Sequence, residues 1–248
     1  QNRYRRCIAM ARILEAQGDL DGALSQFQEA ERLYVSAFSP NVRPVTALKT
    51  RVWVAQGKLG DALGWARERG LSVADDLDYL REFEHITLAR VLLARYKVDR
   101  ADHALHEAMG LLARLLHAAD EGERTGSVIE ILVLQALARH LQGDVPAALM
   151  PLQRALTLAE PEGYTRLFLD EGPPMEQLLR EATRRGIMPG YTGKLLAAYK
   201  AEEQSNAGES PRPTPPAAQP LIEPLSPREL EVLRLFKTEL SGPEIARE

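Results

Sequence analysis

Along most of the chain apolar positions recur three and four residues apart, the spacing that gathers them on one face of an α-helix. Leu80, Phe83, Ile86 (with Thr87) and Val91 make one such stripe, and Ile129, Leu132, Leu137 and Leu141 make another. No alternating run of β-branched residues signals a sheet. The pattern predicts helices near 2–17, 20–36, 43–56, 60–69, 77–97, 101–119, 124–141 and 146–159. It then changes: the stretch from Glu162-Gly163-Tyr164 to Gly172 joins two further helices near 173–186 and 191–203.

These helices repeat as pairs. Gln17-Gly18 is followed by Ala23-Leu24, Gln56-Gly57 by Ala62-Leu63, and Gln142-Gly143 by Ala148-Leu149, with the glycine five residues before the alanine each time. A weaker copy places Asp99 in the glycine position ahead of Ala104-Leu105. A period of about forty residues is that of helical solenoids. The physical reading is a hairpin: one helix ends at a glycine in the left-handed conformation, and the next begins with an alanine that lets two backbones approach. One hairpin cannot bury its own apolar face, so hairpins stack into a superhelix with a concave side.

Composition agrees. Hydrophobic residues are 45% of the 248 and aromatic residues 6%, a bias that suits close-packed helices. The net charge of −4 carries no basic excess for coating nucleic acid. A single cysteine, Cys7, excludes an internal disulfide and reads as a buried structural thiol in a reducing cytoplasm. No apolar run approaches the roughly 20 residues that cross a bilayer, so no membrane partner is expected. The chain opens at Gln1 rather than Met and stops at Glu248 in mid-helix pattern, and it is expected to be part of a longer protein.

Three segments follow: a helical-repeat sensor or interaction domain over 1–203, a Pro-rich flexible linker over 204–222, and the start of a helix-turn-helix over 223–248. The linker has prolines at 211, 213, 215, 216 and 220 and too little apolar surface to order itself. After it, Ser226-Pro227-Arg228-Glu229 is a capping box, with Ser226 as N-cap and Glu229 reaching back. Leu230, Leu233 and Phe236 supply an apolar face, and Ser241-Gly242-Pro243-Glu244, followed by Ile245, is a second box. The expected fold is therefore all-α: a tetratricopeptide-like helical-hairpin superhelix, then a linker and a partial helix-turn-helix.

Pro224 to Leu233, continued by Ser241 to Glu248, closely resembles the DNA-binding domain of LuxR-type regulators. One departure is Glu239, which stands just before Leu240-Ser241, where that family usually has Gly. Asp78-Tyr79-Leu80-Arg81-Glu82 to Leu93, and Gly163-Tyr164 to Pro174, resemble the arm of the large ATP-dependent, maltose-regulator-like (MalT-like) subfamily. The resemblance implies a signal-transduction ATPase ahead of the repeats, so ATP is expected there and no cofactor within this chain. It also implies a recognition helix beyond Glu248, so DNA is a partner of the full-length protein only and this chain alone is expected not to bind DNA specifically.

No catalytic constellation and no phosphate-binding loop of the Gly-Lys-Ser/Thr type is present, and an enzyme is not expected. His103 and His106 lie three apart on one helix but lack a third ligand, so no metal site is expected. Asp75-Asp76, Asp78, Glu82 and Glu84 read either as a solvated face with helix N-terminal charge or as an acidic rim on the concave surface. Arg43, Arg51, Trp53 and Trp65 form the sharper candidate. Residues two apart diverge on a helix, so Arg51 and Trp53 face different ways, and one of the two tryptophans belongs to the core. An arginine beside an exposed tryptophan can hold a sugar, an aromatic or a peptide; the alternative is that both tryptophans pack the repeats. The functional expectation is an arm that senses a small-molecule or protein effector and controls oligomerisation, possible as a homo-oligomer, and transcription. The alternative is an interaction scaffold with no link to DNA.

Overall fold

The repeat glycines end helices as the spacing requires. Gly18, Gly57 and Gly143 have φ of +80°, +73° and +80°. In each, the residue after the glycine donates its N–H five residues back, Asp19 to Leu14, Lys58 to Trp53 and Asp144 to Arg139, at 2.8–3.1 Å. This is the Schellman closure, which satisfies carbonyls that a helix end leaves open. Where Asp follows the glycine it also starts the next helix: Asp19 accepts from Gly22 N at 2.9 Å and Asp144 from Ala147 N at 3.0 Å. The weaker copy differs by one position. Asp99 is the last helical residue, and Arg100, at φ +52°, takes the left-handed place that glycine fills elsewhere.

The structure, a computed structural model, describes residues 2–34 and 41–207, with side chains to 204. Residues 3–206 belong to one folded unit. Its elements are α1 (Asn2–Ala16), α2 (Leu20–Leu33), α3 (Val45–Ala55), α4 (Leu59–Glu68), a 3₁₀ turn (Tyr79–Arg81), α5 (Glu82–Asp99), α6 (Asp102–Glu121), α7 (Thr125–Leu141), α8 (Val145–Ala159), α9 (Arg166–Leu169), α10 (Pro173–Arg184) and α11 (Pro189–Ala207). The all-α hairpin architecture is the one the sequence predicts. Two local departures have simple causes. Tyr79–Arg81 coils as a 3₁₀ turn capped by Asp78, which leaves Leu80 exposed rather than in the stripe it was assigned to. The stretch after Glu162 is not a plain connection: it contains α9, whose Phe168 and Leu169 are buried. The expected linker at 204–222 and helix-turn-helix at 223–248 lie, but for residues 204–207, outside the described residues.

Consecutive helices pack as hairpins, α5 on α6, α6 on α7 and α7 on α8. The odd-numbered helices also pack on one another, α3 on α5, α5 on α7 and α7 on α9, while no comparable packing joins α2 to α4, α4 to α6 or α6 to α8. The row α3–α5–α7–α9 is thus one continuous layer, called the inner layer below, and of the even-numbered helices α8 packs on α10. α5 and α7, pressed from several sides, bury most of their residues, including polar ones.

Ala23, Ala62 and Ala148 are fully buried, as small residues at helix crossings must be. Ala62→Leu is expected to overpack its site and lower stability by about 1–3 kcal/mol, read from urea denaturation; an unchanged midpoint would show that the crossing has room.

Candidate functional site

The inner layer carries charge where a core helix would carry none. Glu130 stands in the apolar run Val128 to Leu134 of α7 and is 6% exposed. Its Oε1 accepts from Arg51 Nη1 of α3 at 2.7 Å and from Arg90 of α5, Nη2 at 2.9 Å and Nε at 3.2 Å. Arg90 also pairs with Glu171, in the turn between α9 and α10, at 2.6 Å. Arg51 is held further by Thr87 Oγ1, which accepts from its Nε at 3.0 Å, and by the Phe83 ring, over which its guanidinium lies at 3.8 Å. Phe83, Thr87 and Arg90 fall at intervals of four and three, so one face of α5 presents all of them. Burial opposes ionisation of Glu130, but Arg51 and Arg90 outweigh it and hold the carboxyl down at about 2. Burial lowers Arg51 to about 10 against the pull of Glu130. At neutral pH all three are charged.

Beside this network a cleft of about 250 Å³ opens, with Val42, Tyr79, Phe83 and Ile86 as apolar lining and Arg43, Glu82, Arg124, Ser127 and Glu130 as polar lining. Glu82, at the first turn of α5, is 6% exposed. It accepts from Arg124 Nε at 2.7 Å and from Ser127 Oγ at 2.6 Å. Arg124 also donates to Ala118 O at 2.7 Å, and its guanidinium is 5.6 Å from the Tyr79 ring. Arg43, exposed, places its guanidinium over the Phe83 ring, 5.3 Å from its centre.

Three of the residues singled out in the sequence, Arg43, Arg51 and Glu82, thus meet at one place; the two tryptophans do not join them. Trp65 is buried in the core, its Nε1 without a hydrogen-bond partner. Trp53 diverges from Arg51 as helix geometry demands and sits under Lys49, whose Nζ is 5.5 Å from its ring and also pairs with Glu31 at 2.7 Å. The aromatic surface of the cleft is Phe83 and Tyr79. The acidic stretch is mostly not a solvated face: Glu82 is buried as above, and Glu84, 3% exposed, pairs with Arg69 at 2.7 Å and Arg81 at 3.3 Å. Asp75 accepts from Ser72 N and meets His85 Nε2 at 3.1 Å, while His85 Nδ1 meets Arg81 O at 3.0 Å. His103 is exposed beside Glu107, and His106 is exposed. Among the described residues no group of three His, Cys, Asp or Glu is placed to hold a metal, and no helix is long and apolar enough to cross a membrane. Ser226, Glu229, Leu233, Ser241, Glu244 and Ile245 lie outside the described residues.

Phe83, Arg90, Arg124, Glu130 and Glu171 are site residues that pattern reading passed over. The signal for one of them was present: Glu130 stands within the apolar run Val128 to Leu134, where a charge is buried, and buried charges are paired.

A stack of helical hairpins with a charged cleft beside its continuous helix layer is a tetratricopeptide-type repeat domain. The sequence model of the MalT-like TPR region matches residues 4–185, and the chain belongs to that family. It is 28% identical over 187 residues to the HTH-type transcriptional regulator MalT of Klebsiella pneumoniae (strain 342), and equally to that of Yersinia pestis (strain Pestoides F). The match covers 74% of this chain and 20% of each relative, so the chain spans about a fifth of their length.

The charges beside the inner layer also predict a pH response. Burial, with Asp170 nearby, raises the Glu15 carboxyl from 4.5 to about 7 against the pull of Arg12, Arg51 and Arg166. Between those values the folded chain holds a proton that the unfolded chain has released, so this group's contribution is fully present below about 4.5 and lost as pH rises through 7. Glu15→Gln is expected to melt about 2–4 °C above the wild type at pH 8, the shift that roughly 1 kcal/mol gives in a domain of this size. The gap should close near pH 5; an equal gap at both pH values would contradict the assignment.

Proposed function

We propose that this chain is the effector-sensing arm of a DNA-binding transcription regulator, acting in the cytoplasm and as a binding protein rather than a catalyst. The observation that carries the reading is the open cleft set directly against a buried ion-pair network that reaches α3, α5, α7 and the α9–α10 turn. A small molecule or protein segment seated there touches Arg43, Glu82, Phe83 and Arg124, and so bears on the helices that set the curvature of the stack. It shifts the arm between two states only by the difference in its affinity for them. The regulatory output rests on the relatives, whose name is that of an HTH-type transcriptional regulator, and on the LuxR-type motif from Ser226 to Glu248. In this reading ATP binding and the DNA-recognition helix belong to other parts of the full-length protein, and effector binding governs self-assembly and so activation.

The competing reading is a tetratricopeptide-like scaffold without a DNA-linked role. Ser127→Trp separates the two. The position is half-buried at the cleft wall, and an indole there fills the cleft while leaving the apolar core untouched. A strain carrying Ser127→Trp, compared by transcript profiling with unmodified and deletion strains, is expected to lose induction of the same discrete gene set that the deletion affects, or to hold it constitutively on. Deletion and Ser127→Trp strains with no shared gene-specific change would favour the scaffold.

A further inference from the structure

The ion pairs around the cleft leave one arginine over, and that arginine points to a ligand. Arg43 and Arg124 line the cleft with Glu82 and Glu130, and Arg51, Arg90 and Glu171 stand behind them in the network. Glu82 is taken by Arg124 and Ser127, Glu130 by Arg51 and Arg90, and Glu171 by Arg90. Among the described residues Arg43 alone of these four arginines makes no ion pair with a carboxylate; its guanidinium lies over the Phe83 ring at 5.3 Å, and its charge bears on Glu130 only from beyond ion-pair distance. Each carboxylate at the cleft is thus already paired with a cation, and the arginine left without such a pair stands on its wall. The first turn of α7, Thr125 to Ser127, lines the same space, and the partial positive charge of a helix N-terminus adds to that field.

Beside the arginine the lining is apolar: Val42, Ile86, the Phe83 ring and Tyr79, the last 54% exposed and so free to cover a guest. At about 250 Å³ the cleft is smaller than the roughly 300–1,000 Å³ of drug-sized sites, which suits a body of one ring. On the sensor reading above, we propose that the effector is a small anion, a carboxylate or phosphate on a single-ring or similarly compact apolar body. Arg43 takes the anionic group as a fork of N–H donors, a geometry that matches either oxyanion. Phe83 and Tyr79 take the body. A neutral ligand leaves the Arg43 charge unanswered, and a cation meets it as a like charge.

Isothermal titration of the 248-residue chain tests this with matched probes: phenylacetate and phenyl phosphate as the two oxyanions, phenylacetamide and 2-phenylethanol as neutral isosteres. The expected result is that at least one anion binds tenfold or more tightly than either neutral probe. The tighter anion tells carboxylate from phosphate. In Arg43→Gln, an exposed position whose replacement leaves the fold intact, that preference is expected to disappear, and in Ser127→Trp all binding is expected to disappear. Neutral probes that bind as well as the anions, or a preference that survives Arg43→Gln, would overturn the anion assignment while leaving the cleft a ligand site. No binding by any probe would also overturn it, and the sensor reading would then stand or fall on the transcript profiles.

Discussion

The Glu130 carboxylate is the point on which the inner layer turns. One oxygen serves arginines from two neighbouring helices, and one of those arginines reaches on to Glu171 beyond α9. Taking a carboxylate out of water costs several kcal/mol, and its attraction to two guanidinium groups repays that only when the geometry is good. The network is therefore not a large net source of stability. Its consequence is positional: three helices that a purely apolar layer would let slide are fixed by directional bonds, and removal of Glu130 leaves Arg51 without a carboxylate and Arg90 with Glu171 alone. The Arg51–Phe83 stack extends the same constraint to the cleft wall, since the ring that faces the cleft also carries the arginine behind it.

Cleft and network share Glu130, which lines the one and centres the other. Glu82 and Arg124 tie the start of α5 to the start of α7, and Arg124 reaches the last turns of α6 through Ala118 O. A guest that draws on Arg124 or displaces Tyr79 acts on the junction of three helices. A repeat domain in which each hairpin touches only its neighbours transmits such a change along the stack as a change in curvature, which is the physical basis on which a cleft beside the inner layer can serve as a sensor.

The fold was legible because it is written locally. Gln-Gly ends a helix through backbone geometry, an aspartate one residue later starts the next, and Ala23, Ala62 and Ala148 mark the crossings; each signal lies within about ten residues of the element it defines. Arg100 shows the limit, since a non-glycine residue in the left-handed place leaves no trace in the pattern. The site was legible only in part. Arg43, Arg51 and Glu82 stand out as charges beside apolar stripes, but their partners Glu130, Arg124 and Ser127 lie more than forty residues away along the chain and arrive through helix packing. Trp53 and Trp65 attracted notice by type, and type does not distinguish a core indole from an exposed one. Glu82 and Glu84 read in sequence either as a solvated face or as an acidic rim; they are buried, paired with Arg124, Arg69 and Arg81, which converge on them.

The claim that Glu130 organises the inner layer is tested most directly by a double-mutant cycle with Arg51, using Arg51→Met, Glu130→Met and the pair, each measured by urea denaturation. The account predicts that Glu130→Met, which takes the carboxylate from two arginines, costs about 3–5 kcal/mol, that Arg51→Met costs less because Arg90 still holds Glu130, and that the double mutant recovers roughly 1–3 kcal/mol of the summed loss. Single losses that add to within about 0.5 kcal/mol would show that the two charges do not depend on one another, and the network would be a contact without a structural role.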